Sequence, residues 1–147
     1  MFVCLGNICR SPMCESITAY LLKKNRLDSI KVDSMGTSME EYGNPVHSGT
    51  KRALYEHGIP CIPHTATQIR KSDYDKYDLI IGLDQSNVRN LYRIFGGDKD
   101  DKIFLLMTFV SENRDVADPW WTGDFEKTFE DCYRGCSALV EYIKSRS

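Results

Sequence analysis

Cys4-Leu5-Gly6-Asn7-Ile8-Cys9-Arg10-Ser11-Pro12 stands between a short apolar run, Met1 to Val3, and a helical pattern that opens at Ser11. A strand that passes through a tight Gly6-Asn7 turn into a helix start aims several backbone N–H groups, and the positive end of the helix dipole, at one point. Such a nest suits a phosphate-like dianion. Arg10 adds a planar fork of donors for two of its oxygens. Cys4 at the floor of the nest sits in the same field, which favours its thiolate. A thiolate facing a bound phosphoryl group is a nucleophile for phosphoryl transfer.

Working outward, the chain reads as alternating strands and helices. Phe2–Leu5 is the first strand, and Ser11 caps a helix that has Pro12 in its first turn and Ile17, Tyr20, Leu21 and Leu22 at helical spacing. Ile30–Met35 alternates as a second strand. A helix runs from Ser48 to about His57, with Gly58 where a helix end expects it. Asp78–Leu83 has the apolar character of a buried strand, and Asp84 caps a helix that ends at Gly96-Gly97. Ile103–Met107 is the fourth strand, and Asp124 caps a long last helix. The order βαβαβαβα predicts an α/β fold: a four-stranded parallel sheet, doubly wound with helices on both faces, in a single domain over residues 1–147. Ligands of such sheets bind outside the carboxyl ends of the strands, where the loop after the first strand lies.

Composition sets the frame. With 147 residues, 27% charged and a formal net charge of −2, the chain has no basic footprint for nucleic acid. No apolar stretch approaches the ~20 residues of a membrane span, and the start has no signal-peptide pattern, so a cytoplasmic enzyme is expected. Its six cysteines are therefore read as reduced thiols. Neither Cys4/Cys9 nor Cys132/Cys136 has zinc-finger spacing, and no structural metal is expected. Cys132 and Cys136, four apart on the apolar side of the last helix, read as core, and Cys14 and Cys61 as small core or surface thiols. His57 reads as a cation at a helix C-terminus, and Asp98–Asp101 as a solvated acidic loop.

A second constellation is Asp118-Pro119-Trp120-Trp121 on the long connection ahead of the last helix. Splitting a phosphate ester needs an acid to protonate the leaving oxygen, and Asp118 can supply it. Pro119 stiffens the backbone beside it, while Trp120 and Trp121 wall a slot for a flat substrate. The implied reaction has two steps, attack by Cys4 with protonation by Asp118, then hydrolysis of the phosphocysteine. Arg10 and the N–H groups supply the charge that a metal would otherwise bring, so no cofactor is expected.

The chain resembles the low-molecular-weight protein tyrosine phosphatases over essentially its whole length. The resemblance rests on VCLGNICRSP from Val3, DSMGT at 33–37, HGI at 57–59, His64, TQI at 67–69, LDQSN at 83–87 and DPWWTGDF at 118–125. It implies Cys4 as nucleophile, Arg10 as phosphate-binding and transition-state residue, and Asp118 as general acid. Leu5, Gly6, Asn7, Ile8, Cys9 and Ser11 would form the phosphate-binding loop, with Ser11 steadying the thiolate. Asn7 would hold the loop's backbone, tied to Ser34 and His64. Glu15 and Asp33 match family carboxylates near the buried histidine, Asp84 one at the end of the third strand, and Cys9 a redox partner for Cys4. The implied partners are a phosphotyrosine protein or a small aryl phosphate, with inhibition by phosphate or vanadate-like anions, and neither nucleic acid nor membrane.

Several positions depart from that pattern. Glu40 stands where an aromatic wall of the slot is common, Thr67 replaces an arginine, and Trp120 and Trp121 replace tyrosines that can themselves be phosphorylated. Three residues precede Cys4, fewer than usual, which implies a trimmed first strand. The resemblance also admits protein-arginine phosphatases and arsenate reductases of the same fold. The former carry threonine where this chain has Ile8, and the latter need a relay cysteine that residues 78–95 lack. A catalytically dead phosphate-binding module is a further rival, opposed by the intact Cys4, Arg10 and Asp118 set.

Overall fold

A computed structural model describes residues 1–146. Four short strands, β1 (Phe2–Cys4), β2 (Ser34–Gly36), β3 (Ile80–Gly82) and β4 (Ile103–Leu105), pair in the order β2-β1-β3-β4, every pair parallel. The helices are α1 (Arg10–Lys24), α2 (Ser48–Glu56), α3 (Gln85–Phe95), α4 (Pro119–Thr122) and α5 (Phe125–Ser145), with 3-10 segments at Lys71–Lys76 and Leu106–Val110. The expected doubly wound sheet is present.

Period-two alternation sends successive strand residues to opposite faces. Phe2, Cys4, Ile81 and Leu83 join Met13, Ile17, Leu54, Phe129 and Leu139 in a core roofed by α1, α2 and α5. Val3, Ile80 and Ile103 join Ile69, Tyr74 and Leu91 in a second core under α3 and the first 3-10 segment. Cys14, Cys132 and Cys136 are fully buried in the first core. Gly135 lets α5 approach closely, since a Cβ there would lie 2.6 Å from Leu106 Cγ.

The boundaries differ from the sequence reading where pairing or local hydrogen bonds decide them. The second strand is Ser34–Gly36 rather than Ile30–Met35, because its register on β1 begins at Phe2↔Ser34 and the residues before Asp33 have no strand to pair with. The third strand is confined to Ile80–Gly82 within Asp78–Leu83, and the fourth gives way at Leu106 to a 3-10 turn, which Thr108 Oγ1 fastens by donating to the Leu105 carbonyl. The first helix begins at Arg10 with Cys9 as its N-cap residue. Ser11 is not its cap, because the Ser11 hydroxyl is engaged at the site described below.

Two side-chain readings also change. Asp98 is not a merely solvated acid: its carboxylate accepts from Tyr74 Oη (2.6 Å), Lys102 N and Ile103 N, folding the loop that leads into β4. His57 is the C-cap residue of α2, yet its ring stacks on Phe129 at 3.9 Å and bonds the Glu126 carboxylate.

Candidate active site

The loop after β1 closes around the Cys4 sulfur. Asn7 N–H points at Cys4 Sγ (3.3 Å), and Ser11 Oγ lies 3.0 Å from the same atom. Neighbouring groups fix the direction of the Ser11 bond. Asn7 Nδ2 donates to both Ser11 Oγ (2.8 Å) and Ser34 Oγ (3.0 Å). Each serine therefore accepts from Asn7 and has one proton of its own to give. Ser34 gives its proton to Glu15 Oε1 (2.6 Å), and Ser11 gives its proton to the sulfur. Two donors on one sulfur is an arrangement suited to a thiolate.

Asn7 itself is fully buried and holds φ 61°, a left-handed conformation that costs about 1 kcal/mol outside glycine. The surrounding bonds over-determine it. Thr67 N donates to Asn7 Oδ1 (3.0 Å), and His64 Nε2 lies 3.0 Å from both Asn7 Oδ1 and the Asn7 carbonyl. Both partners are acceptors only, so Nε2 carries the proton, and His64 Nδ1 faces Glu15 Oε1 at 3.7 Å. Burial raises the Glu15 carboxyl above its ordinary range, against the pull of Ser34 and His64. Asp33 accepts from Ser34 N and Tyr77 Oη, fastening the same strand from behind. Gly36 on β2 lies under the loop, where a Cβ would meet the Leu5 carbonyl oxygen at 2.9 Å.

Arg10 is 3% exposed. Its NH1 donates both protons, to Asp84 Oδ2 (2.8 Å) and to the Val116 carbonyl (2.9 Å), which leaves the Nε–NH2 edge as a pair of donors. Although burial opposes its charge, Cys4, Asp84 and Asp118 together raise its pKa above the ordinary value. Asp84 divides its carboxylate, Oδ1 capping α3 through Asn87 N and Oδ2 holding Arg10. Asp118 arrives from the other side as the N-cap of α4, Oδ1 accepting from Trp120 N and Oδ2 lying 3.5 Å from Arg10 NH2.

Cys4, Leu5, Gly6, Asn7, Ile8, Cys9 and Arg10 form the floor of a slot of about 120 Å³, whose mouth is lined by Glu40, Glu41, Asp118, Trp120 and Trp121. Ser11, Ser34 and His64 stand behind the loop. Burial, and then the neighbouring Cys4, push the Cys9 thiol up to about 12. A larger cavity of about 660 Å³ opens at the opposite end of the sheet, but neither cysteine nor histidine lines it. Cys4, Arg10 and Asp118 all line the smaller slot. Among the described residues no group of histidine, cysteine and acidic side chains could hold a metal ion.

Sequence reasoning passed over Glu41 and the Val116 carbonyl. The only signal for the first was its adjacency to Glu40, and a backbone acceptor leaves none.

A family model described as low molecular weight phosphotyrosine protein phosphatase matches residues 1–147. The low molecular weight protein-tyrosine-phosphatase PtpA of Staphylococcus epidermidis is 41% identical over 143 residues, 97% of this chain and 91% of the relative. The crystal structure of YfkJ from Bacillus subtilis superposes with a TM-score of 0.95 at 38% identity, covering 99% of this chain and 94% of that one. SP-PTP, a low molecular weight protein tyrosine phosphatase from Streptococcus pyogenes, gives 0.86 at 38% identity over 97% and 90% of the two chains. With its full length matched and its fold shared, this chain belongs to the low molecular weight phosphotyrosine protein phosphatases, phosphoric monoester hydrolases that work through a phosphocysteine intermediate.

Proposed function

We propose that residues 1–147 act as one catalytic domain on phosphotyrosine in proteins and on small aryl phosphates, with Cys4 as nucleophile, Arg10 as phosphate clamp and Asp118 as general acid. The observation that carries this reading is the convergence on one sulfur of the Asn7 N–H and Ser11 hydroxyl, beside the free edge of Arg10 and the Asp118 carboxyl. The phosphate dianion binds the loop N–H groups and the Nε–NH2 edge. Cys4 Sγ attacks phosphorus in line, the P–O bond to the phenyl ring breaks, and Asp118 gives its proton to the departing oxygen. Water then attacks phosphorus, Asp118 takes a proton from it, and the S–P bond breaks while the Ser11 hydroxyl receives the returning thiolate.

Several finer points follow from the same geometry. Arg10 and the loop N–H groups provide the charge stabilisation, so the reaction calls for no metal or cofactor. Free phosphate and vanadate-like anions compete for the nest. Trp120 and Trp121 across the slot favour a flat phenyl ester over the shorter phosphoserine. When a peroxide oxidises the Cys4 thiolate to its sulfenic acid and is itself reduced, the Cys9 thiol displaces water from the sulfenic acid and forms a disulfide. A nucleophilic thiolate works where thiols stay reduced, which supports a cytoplasmic site of action. Among the described residues no helix is long and apolar enough to cross a membrane, and the formal net charge of the chain is −2.

Of the two enzyme rivals, the arginine phosphatase requires a polar contact where Ile8 packs with Ala66 and Phe125. The arsenate reductase requires an outward thiol relay, whereas Cys14, Cys132 and Cys136 are fully buried. The deciding assay is hydrolysis of a phosphotyrosine peptide, a phosphoarginine peptide and a low-pKa aryl phosphate in EDTA. Wild type should turn over the first and third, and Cys4→Ser neither. Asp118→Asn should slow the phosphotyrosine ester roughly a hundredfold or more and the activated ester far less. Equal losses for both leaving groups would remove Asp118 from the acid role, and a preference for phosphoarginine would replace the substrate.

A further inference from the structure

Opposite walls of the slot mouth are both built to receive a cation. On one side, Glu40 and Glu41 follow β2. Glu41 is anchored: its Cγ lies against Gly6, where a Cβ would come within 3.1 Å of it, and its Oε2 accepts from Asn44 Nδ2 (2.6 Å). Glu40 lines the slot, and its N–H donates to Ser38 Oγ (3.0 Å). Among the described residues neither carboxylate has a cationic partner. On the other side, Trp120 and Trp121 expose 55% and 79% of their surfaces. Indole faces attract ammonium and guanidinium groups.

Arg10 does not balance this charge, because Asp84 and Asp118 already share it. The mouth therefore carries unneutralised negative charge beside an anion-binding floor. A bare phosphate dianion meets attraction below and repulsion at the rim. A substrate that brings its own cation a few ångströms from the phosphate meets attraction at both.

We infer that Glu40 and Glu41, facing Trp120 and Trp121, form a rim subsite for a lysine or arginine beside the phosphotyrosine of the substrate protein. The inference rests on the phosphotyrosine phosphatase reading. The aliphatic stem of the basic residue lies on the indole wall, and its charged head reaches the carboxylates. Acidic flanking residues are rejected by like charge, so the rim selects by repulsion as well as attraction. Partly solvated pairs of this kind act mainly on encounter and on KM.

The test is kcat/KM for two phosphotyrosine peptides that differ only in flanking residues, lysine and arginine in one, aspartate and glutamate in the other. A small aryl phosphate that carries no charge besides its phosphate runs alongside. Wild type should favour the basic peptide by about tenfold or more at low salt, chiefly through KM. The ratio should fall as salt rises from about 0.01 M to about 1 M, over which the screening length drops from about 30 Å to about 3 Å. Glu40→Gln with Glu41→Gln should bring the ratio toward one, and Glu40→Lys should reverse it, a result that loss of folding cannot imitate. A ratio near one in wild type, or one unmoved by these variants or by salt, overturns the subsite while leaving the phosphatase reading intact. Absence of turnover on the aryl phosphate as well would instead overturn the phosphatase reading.

Discussion

Asn7 shows how much one side chain can decide. Its two Nδ2 protons set the donor direction of Ser11 and Ser34, its Oδ1 takes Thr67 N and His64, and its own N–H reaches the Cys4 sulfur. Glycine would tolerate φ 61° but could make none of the side-chain bonds. The neighbouring cysteines are set apart by the same local geometry. Cys4 receives two donors, whereas Cys9 is buried beside Cys4 and pushed up to about 12. A group with its pKa at about 12 binds its proton throughout the physiological range, so Cys9 stays a thiol. Iodoacetate at pH 7 should therefore carboxymethylate Cys4 and leave Cys9 untouched, as read by peptide mass mapping. Labelling of Cys9 at a rate comparable to Cys4 would contradict this assignment of the two thiols. Prior occupancy of the loop by phosphate should protect Cys4.

At the scale of elements, the sheet carries Cys4, the proposed nucleophile, and a loop must bring Asp118, the proposed acid, to it. Residues 111–118 form that connection, and a clamp onto α5 fixes it. Arg114 makes paired bonds to Asp131 (2.9 and 3.0 Å) and a third to Glu112 (2.7 Å), while Asp115 Oδ1 accepts from Gln85 N at the start of α3. Burial works against the Asp131 charge, but Arg114 and Lys127 hold the carboxyl below its ordinary value of 3.8. Its contribution to stability is therefore full above about pH 4 and lost as pH falls through the depressed folded pKa. Arg114→Ala leaves a buried carboxylate with less compensation. We expect a cost of about 1–3 kcal/mol, below the figure for fully buried pairs because Arg114 is 38% exposed. The difference in Tm from wild type should be largest near neutral pH and shrink as pH falls below about 4, since protonated Asp131 no longer needs its partner. A difference independent of pH would mean that the clamp works by packing alone.

At the scale of the whole molecule, a close approach of helix and chain fixes the first core. Gly135 lets α5 sit against the buried Leu106 just after β4, on the segment that leads to the acid loop. Gly135→Ala should destabilise the protein by about 1–2 kcal/mol in chemical denaturation, the overpacking exceeding the helix propensity gained. Leu106→Ala in the same chain should recover part of that loss, and strict additivity of the two changes would exclude their contact as the cause. The sequence by itself determined the alternation of strands and helices, the doubly wound class and the identity of the loop from Cys4 to Ser11. Those signals are local: period, caps, and a loop whose members are neighbours in the chain. Strand ends were less legible, because Ile30–Val32 has strand character but lacks the partner that only sheet register assigns. The family resemblance already implied the links of Asn7 to Ser34 and His64 and a slot shared by Glu40, Trp120 and Trp121. Only the tertiary structure decided the tie of Arg10 to Asp84 and Val116, the bond from Thr67 N to Asn7 and the place of Glu41 on that slot. Those contacts join residues far apart in the chain, as many as 106 positions for Arg10 and Val116. Strand order and loop packing bring them together, and no periodicity in the sequence records which distant polar atoms will meet.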